Sequence, residues 1–335
     1  MLVESTFVER PNSNSTPPMI GVLAALARGF DRIAANPVLI LPPLVLDGVL
    51  WLAPHLGVER LFRLAATELV GPLAADPGWQ ERAGVLRDTL LQFGTRFNLL
   101  SMLSTFPVGI PSLMSGSLPA TSPLGSPSAL QLDGAGTILA AWLFLTVVGV
   151  GLGAAFHRAI AAPLPPSETR ASGWQLWAGM VGLAALVYAG LAIVGSGLVL
   201  IASLAGLVVP LFGIGVLFVG FSLVVWAAIY LVFTPHGMVR HHLGLIRAMR
   251  ESVDMVRWNL IGTTGLVALL LGVDRLTGLV WLMPDSGTWY AGLAVLGHAF
   301  VSAMLVAASY AFYAGRREWW LSRRTPAVVP PALGG

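Results

Sequence analysis

YLVFTPHGMVRHHLGLIRAMRESVDMVRWNLIG, residues 230–262, carries one hydrophobic run into a basic segment and out again into a second hydrophobic run. On a helical wheel Met238, Leu245, Ile246, Met249, Val253 and Val256 share one arc, and Arg240, Arg247, Arg250, Glu251, Asp254 and Arg257 fall opposite. Apolar positions at this period predict an amphipathic helix over 238–257. Set between two apolar spans, such a helix is expected to lie on a membrane surface, and its arginines mark that surface as cytoplasmic. Arg240, Arg247, Arg250 and Arg257 are therefore the candidate contacts to anionic lipid headgroups.

Composition points the same way. Of 335 residues, 56% are hydrophobic and only 10% charged, and mean hydropathy is +0.79. A soluble domain carries about 25% charged residues. The expected fold class is all-α: a polytopic helical membrane protein with about six transmembrane helices and additional interfacial amphipathic helices. All 19 basic residues are arginine, and they cluster between apolar runs instead of forming a groove for a polyanion, so nucleic acid is not an expected partner. The absence of cysteine excludes disulfides, thiolate nucleophiles and cysteine metal sites.

Residues 1–18 combine two glutamates with a polar Pro/Asn/Ser tract, which predicts a disordered tail and no signal peptide. Residues 325–335, rich in Pro and Gly, read as a second tail. A single membrane domain, 19–324, lies between them. MIGVLAALARGFDRIAAN, 19–36, is too short and too charged to span and reads as a second interfacial helix. Asn36-Pro37 then breaks it before a first span at 37–54. DRIAANPVLI at 31–40 and DMVRWNLIG at 254–262 share an aspartate, an equally spaced asparagine and a following apolar run, the trace of an internal repeat.

Residues 55–135 form an extracytoplasmic insertion. Its first part, 55–96, predicts two short amphipathic helices. The uncharged 97–116 is broken by Pro107, Gly109 and Pro111, which favours a re-entrant or interfacial segment over a span. Span two, 136–160, carries Gly149 and Gly153, a small-residue face suited to close helix packing. No charge occurs from Trp174 to Phe233, so this run must fold back as spans 174–202 and 207–233 with a turn near Gly206 and Pro210. Spans 259–284 and 288–315 complete the set.

Arg158 and Arg170 flank one connection, the four arginines of 238–257 fill another, and Arg316, Arg317, Arg323 and Arg324 follow the last span, whereas the turns at 204–210 and 285–287 have none. This places both termini in the cytoplasm of a cell-membrane protein. Counting 97–116 as an extra span moves the N-terminus outside and 55–96 inside. Pro107 and Pro111 argue against that span, and Arg28 and Arg32 favour a cytoplasmic start.

Ionisable residues within spans cost a few kcal/mol each and need an account. Asp47, Asp274, Arg275 and His298 fall at similar depth and form a candidate intramembrane polar cluster, in which Arg275 neutralises Asp47 or Asp274 and His298 titrates. The alternative is a structural ion pair or an interfacial Asp274-Arg275. His157, His236, His241 and His242 raise a metal site, but their spacing matches no ligand motif. Trp258, Trp281, Trp289, Trp319 and Trp320 read as interfacial anchors. No P-loop, GxSxG, HExxH or cofactor-binding motif is present, so catalytic, metal and cofactor roles are not expected.

RGFDRIAANPVLILPPLVLD and FTPHGMVRHHLGLIRAMRESVDMVRWN resemble segments of uncharacterised bacterial multi-pass proteins, and are similar to the membrane-domain superfamily attached to some glycerophosphodiester phosphodiesterases. The resemblance rests on Pro235 and Ala248-Met249-Arg250-Glu251-Ser252 and covers under half of the chain. It implies a helical membrane domain and no activity, because the phosphodiesterase barrel is absent. The expected role is a structural, accessory or partner-binding membrane component, in contact with anionic lipid and with a membrane-protein partner or a second copy. The alternative is a transporter or channel subunit using the polar cluster.

Overall fold

The computed structural model describes residues 19–117, 119, 121–162 and 172–324. The two predicted tails, Arg170 and most of the connection around it lie outside the described residues. The chain runs through α1 (Val22–Ala35), a 3-10 turn at Pro37–Ile40, α2 (Leu41–Leu52), α3 (Glu59–Ala65), α4 (Gln80–Arg96), α5 (Leu113–Ser117) and α6 (Ala135–Ala161). It continues through α7 (Gly173–Val208), α8 (Pro210–Leu231), α9 (Thr234–His241), α10 (Leu245–Trp258), α11 (Leu260–Trp281) and α12 (Ala291–Arg324). Strands β1 (His55–Gly57) and β2 (Ala129–Gln131) pair in parallel and close the insertion between α2 and α6.

The architecture is that of an all-α polytopic membrane protein. Five helices, α6, α7, α8, α11 and α12, are long and apolar enough to cross a bilayer, and a sixth span results if the bent pair α1–α2 counts as one. The pair is bent by 101°. Asn36 makes the bend: its backbone leaves helical geometry at φ −140° and ψ 69°, and Pro37 starts the next turn, where its missing N–H costs nothing.

The same device recurs between α10 and α11. Both α1 and α10 have 14 residues and end on an asparagine, Asn36 or Asn259. Each asparagine returns its side-chain amide to the carbonyl four residues back, Arg32 at 3.2 Å and Met255 at 3.4 Å. Both therefore satisfy one of the carbonyls that a helix end leaves unpaired. The sequence repeat is thus also a repeat of local structure.

α12 is the post around which the rest gathers, touching α1, α2, α6, α10 and α11. At 1.5 Å per residue it is about 50 Å long, more than the roughly 30 Å of a hydrocarbon core, so one end projects beyond the apolar layer. That end carries Arg316, Arg317, Arg323 and Arg324 and meets α10; it is called the arginine-rich end below. α1 runs antiparallel to α12, with Ile20 beside Gly315 and Gly29 against Met304 and Ala308. A methyl group on Gly29 would sit 2.6 Å from the Met304 carbonyl oxygen, so the contact requires glycine.

Several expectations change. Residues 238–257 are two helices: His242, at φ 53° in the left-handed region, ends α9, and α10 starts only at Leu245. The apolar side of α10 is covered mainly by protein, since Ala248, Ser252, Met255 and Val256 are buried. Ser252 donates to the Tyr230 carbonyl at 2.7 Å and accepts from the Phe233 N–H at 3.1 Å, tying α10 to the end of α8. Finally, Trp319 and Trp320 are buried beneath Arg323 and Arg324 instead of standing at an interface.

The glycine face of α6 receives irregular backbone, not a helix. Segment 97–117 forms a 3-10 turn at Leu99–Leu103, further turns and the short α5. Its Leu103 and Val108 carbonyls lie where side chains on Gly149 and Gly153 would be. α7 and α8 form a hairpin that turns at Val209 and is largely exposed and apolar along its outer half. Such a surface suits lipid contact, where burial of apolar groups brings no gain over acyl chains.

Candidate functional site

Asp47, in the middle of α2, is 0% exposed. A buried carboxylate needs its lone pairs filled. Its Oδ1 accepts from the Ser112 hydroxyl and from the Met114 N–H at 3.0 Å, and its Oδ2 accepts from the Leu113 N–H at 3.1 Å. These are first-turn groups of α5, which no intrahelical carbonyl can reach. Asp47 therefore clasps segment 97–117 to α2.

His298 of α12 is close enough to interact electrostatically with both Asp47 and Asp274, and its Nε2 is buried without a hydrogen-bond partner. Arg275 does not join them. Its side chain is 83% exposed and reaches only Asp274, at 3.9 Å, in a pair that is itself partly exposed. Consecutive helical residues point about 100° apart, so turning Asp274 toward His298 turns Arg275 away. His298 is thus in electrostatic range of both carboxylates, Asp47 is held by backbone N–H groups and a serine, and Arg275 pairs with Asp274 alone of its two expected partners.

A second polar constellation, at the arginine-rich end, joins α6, α9, α10 and α12. The Nδ1 of His157 lies 3.2 Å from the Tyr310 hydroxyl, and the Nε2 of His236 lies 2.8 Å from the Ser309 hydroxyl. The rings of His236 and Tyr310 pack with centroids 4.3 Å apart. Tyr313, 1% exposed, donates to Glu251 Oε1 at 3.0 Å, and Arg317 donates to both oxygens of the same carboxylate, at 2.5 and 3.1 Å. Burial pushes the Glu251 carboxyl up, but the hydrogen bonds and charge of Arg317 with the Tyr313 hydroxyl outweigh it, and the group lies below its ordinary value.

His157, His236 and His241 thus pair with hydroxyls or rings of α12. Among the described residues no group of three or more His, Asp or Glu is arranged to hold a metal ion. Sequence reasoning missed this network, although Ser309, Tyr310, Tyr313 and Arg317 are polar residues at helical spacing within an otherwise apolar run.

Of the four candidate lipid arginines, Arg240 is half-buried near Glu318 and Tyr313, whereas Arg247, Arg250 and Arg257 are exposed on α10. Arg32 has a different task. It donates to the carbonyls of Ala159, Ile160 and Ala162 and so caps the C-terminal end of α6, where cations are favoured. No protein-family model, curated protein or solved structure matches this chain.

Proposed function

We propose that the protein is a structural or partner-binding component of a cell membrane, with its arginine-rich end and both termini in the cytoplasm, and that it moves no substrate. The carrying observation is the state of Asp47: a carboxylate at membrane depth, closed off from solvent, with every hydrogen bond supplied by the chain itself. A carboxylate that binds a transported ion or proton must instead exchange its partners with a cavity. The resemblance to membrane domains accompanying phosphodiesterases supports a helical membrane role and brings no catalytic residue.

The chain lacks cysteine, so single cysteines report cleanly. A cysteine at Ser112 or at His298 should resist a membrane-impermeant maleimide in intact cells and react only after unfolding, and in-membrane cross-linking should recover a protein partner. A reporter after Arg324 should be cytoplasmic and a tag near Ser122 external. The unpartnered Nε2 of His298 favours one second reading, a transporter subunit using Asp47, Asp274 and His298. Rapid labelling of both cysteines from one side of the membrane supports that reading and defeats the first.

A further inference from the structure

The cations around α10 divide into two sets. Arg317 is held by Glu251, Arg324 by Asp254 and the Trp320 ring, Arg316 by Asn259 and the Phe312 ring, and Arg323 by the Trp319 ring. Arg247, Arg250 and Arg257 are exposed, and no acid, carbonyl or ring among the described residues holds them. The acid on their side of the helix, Asp254, is already paired with Arg324.

This face is not simply a solvated charge run. Ile246 and Trp258 of α10 and Ile261 in the first turn of α11 are 58%, 65% and 91% exposed. Ile246, expected on the apolar arc, is instead on the arginine side: at about 100° per residue it falls within roughly 40° of Arg250 and Arg257, with Arg247 and Trp258 on the flank. The helix is fixed in place: Ser252 ties it to α8, Glu251 and Asp254 on its flank tie it to α12, and Met255 and Val256, opposite the free arginines, are in the core. The helix cannot roll to hide either set of residues.

Its place in the chain sets its depth. α10 is joined to α11 by the single non-helical residue Asn259, and α9 joins it to the end of α8, so it sits where two helices long and apolar enough to cross a membrane share an end. Headgroup phosphates and the edge of the acyl layer meet at that level. Guanidinium suits phosphate oxygens through paired N–H donors, and tryptophan and isoleucine suit the acyl edge. An acidic soluble protein would match the arginines but leave Ile261, within a span, without a role.

We propose that the exposed face of α10 is a binding surface for anionic phospholipid, in which Arg247, Arg250 and Arg257 take headgroup phosphates while Ile246, Trp258 and Ile261 enter the acyl edge. The surface is independent of whether the protein is a scaffold or a transporter subunit.

The full chain is tested in nanodiscs of zwitterionic lipid containing a minority of spin-labelled phosphatidylglycerol or phosphatidylcholine, comparing the immobilised fraction of each. The wild-type chain should prefer phosphatidylglycerol. An arginine near an anionic leaflet contributes a factor of roughly five in affinity, so R247Q, R250Q and R257Q should each lower the preference up to about fivefold, and the triple variant should lower it at least tenfold. R82Q/R87Q/R96Q, which removes equal charge from the insertion, should keep it. Wild-type preference in all three single variants, equal loss in the insertion variant, or retention of an acidic protein with no lipid preference each overturns the proposal.

Discussion

Glu251 of α10 and Arg317 of α12 form a two-pronged ion pair, at 2.5 and 3.1 Å, with side chains only 11% and 17% exposed. It is the most buried ion pair between α10 and the central post, and Tyr313 adds a third hydrogen bond to the same carboxylate. Removing one member of such a pair strands the other. E251Q should cost about 3 kcal/mol, read as a lower melting temperature in detergent, and E251L/R317L should cost less than E251Q and R317L added together.

The same pair sets an acid limit. The Glu251 carboxyl lies below its ordinary value in the folded chain, so its contribution is fully present above the unfolded value of about 4.3 and is lost as pH falls through the folded one. Melting temperature should drop in that acid window for the wild type. The drop should be smaller in E251Q, and equal drops in both would show that the acid limit lies elsewhere.

Asp47 should behave as a clasp. D47L leaves the Leu113 and Met114 N–H groups buried without an acceptor, at about 1–3 kcal/mol for each orphaned group. Limited proteolysis should then cut within 97–117 under conditions in which the wild type resists. R275L, at an exposed position, should change stability by less than about 0.5 kcal/mol. A large loss in R275L would restore the arginine-centred cluster.

The seat of that segment on α6 is equally specific. Side chains at Gly149 and Gly153 would occupy the positions of the Leu103 and Val108 carbonyls. G153V should therefore lower folded yield by more than G151V, because at Gly151 the nearest atoms belong to the Trp177 side chain, which can shift.

The repeated asparagines predict an ordering. N36A loses one side-chain bond to a helix-end carbonyl, about 1 kcal/mol. N259A loses the equivalent bond and also the acceptor for Arg316, 3.1 Å away, and should cost more. Thermal melts of the two variants compare them directly.

Much of this fold was legible from periodicity and breakers. Gly206 and Pro210 bracket the turn observed at Val209, and the asparagine repeat marks two real bends. The partners of Asp47 were not legible, because they are backbone groups of a loop whose tertiary position leaves no periodic signal. Of the two partners expected for Arg275, only Asp274 is reached, in an exposed pair; Asp47 is not, because equal depth along two helices does not give equal direction. The break at His242 was hidden because a histidine, not a glycine, takes the left-handed cap. The tyrosine–histidine network escaped because each histidine was considered with the others, while its partners lie on α12.

Gly29 rests against the backbone of Met304, so the seat for α1 is translated far later than α1 itself. At roughly 5–20 residues per second, the intervening chain takes on the order of 15–55 s to synthesise. For that interval α1 lacks its main seat and has only the end of α6 and, later, α11 to touch, so lipid or a chaperone must shelter most of its apolar side. A half-made chain arrested before residue 304 would therefore be recognisable to quality control by its unclaimed leading helix, and the final closure of the molecule is a clock set by the ribosome.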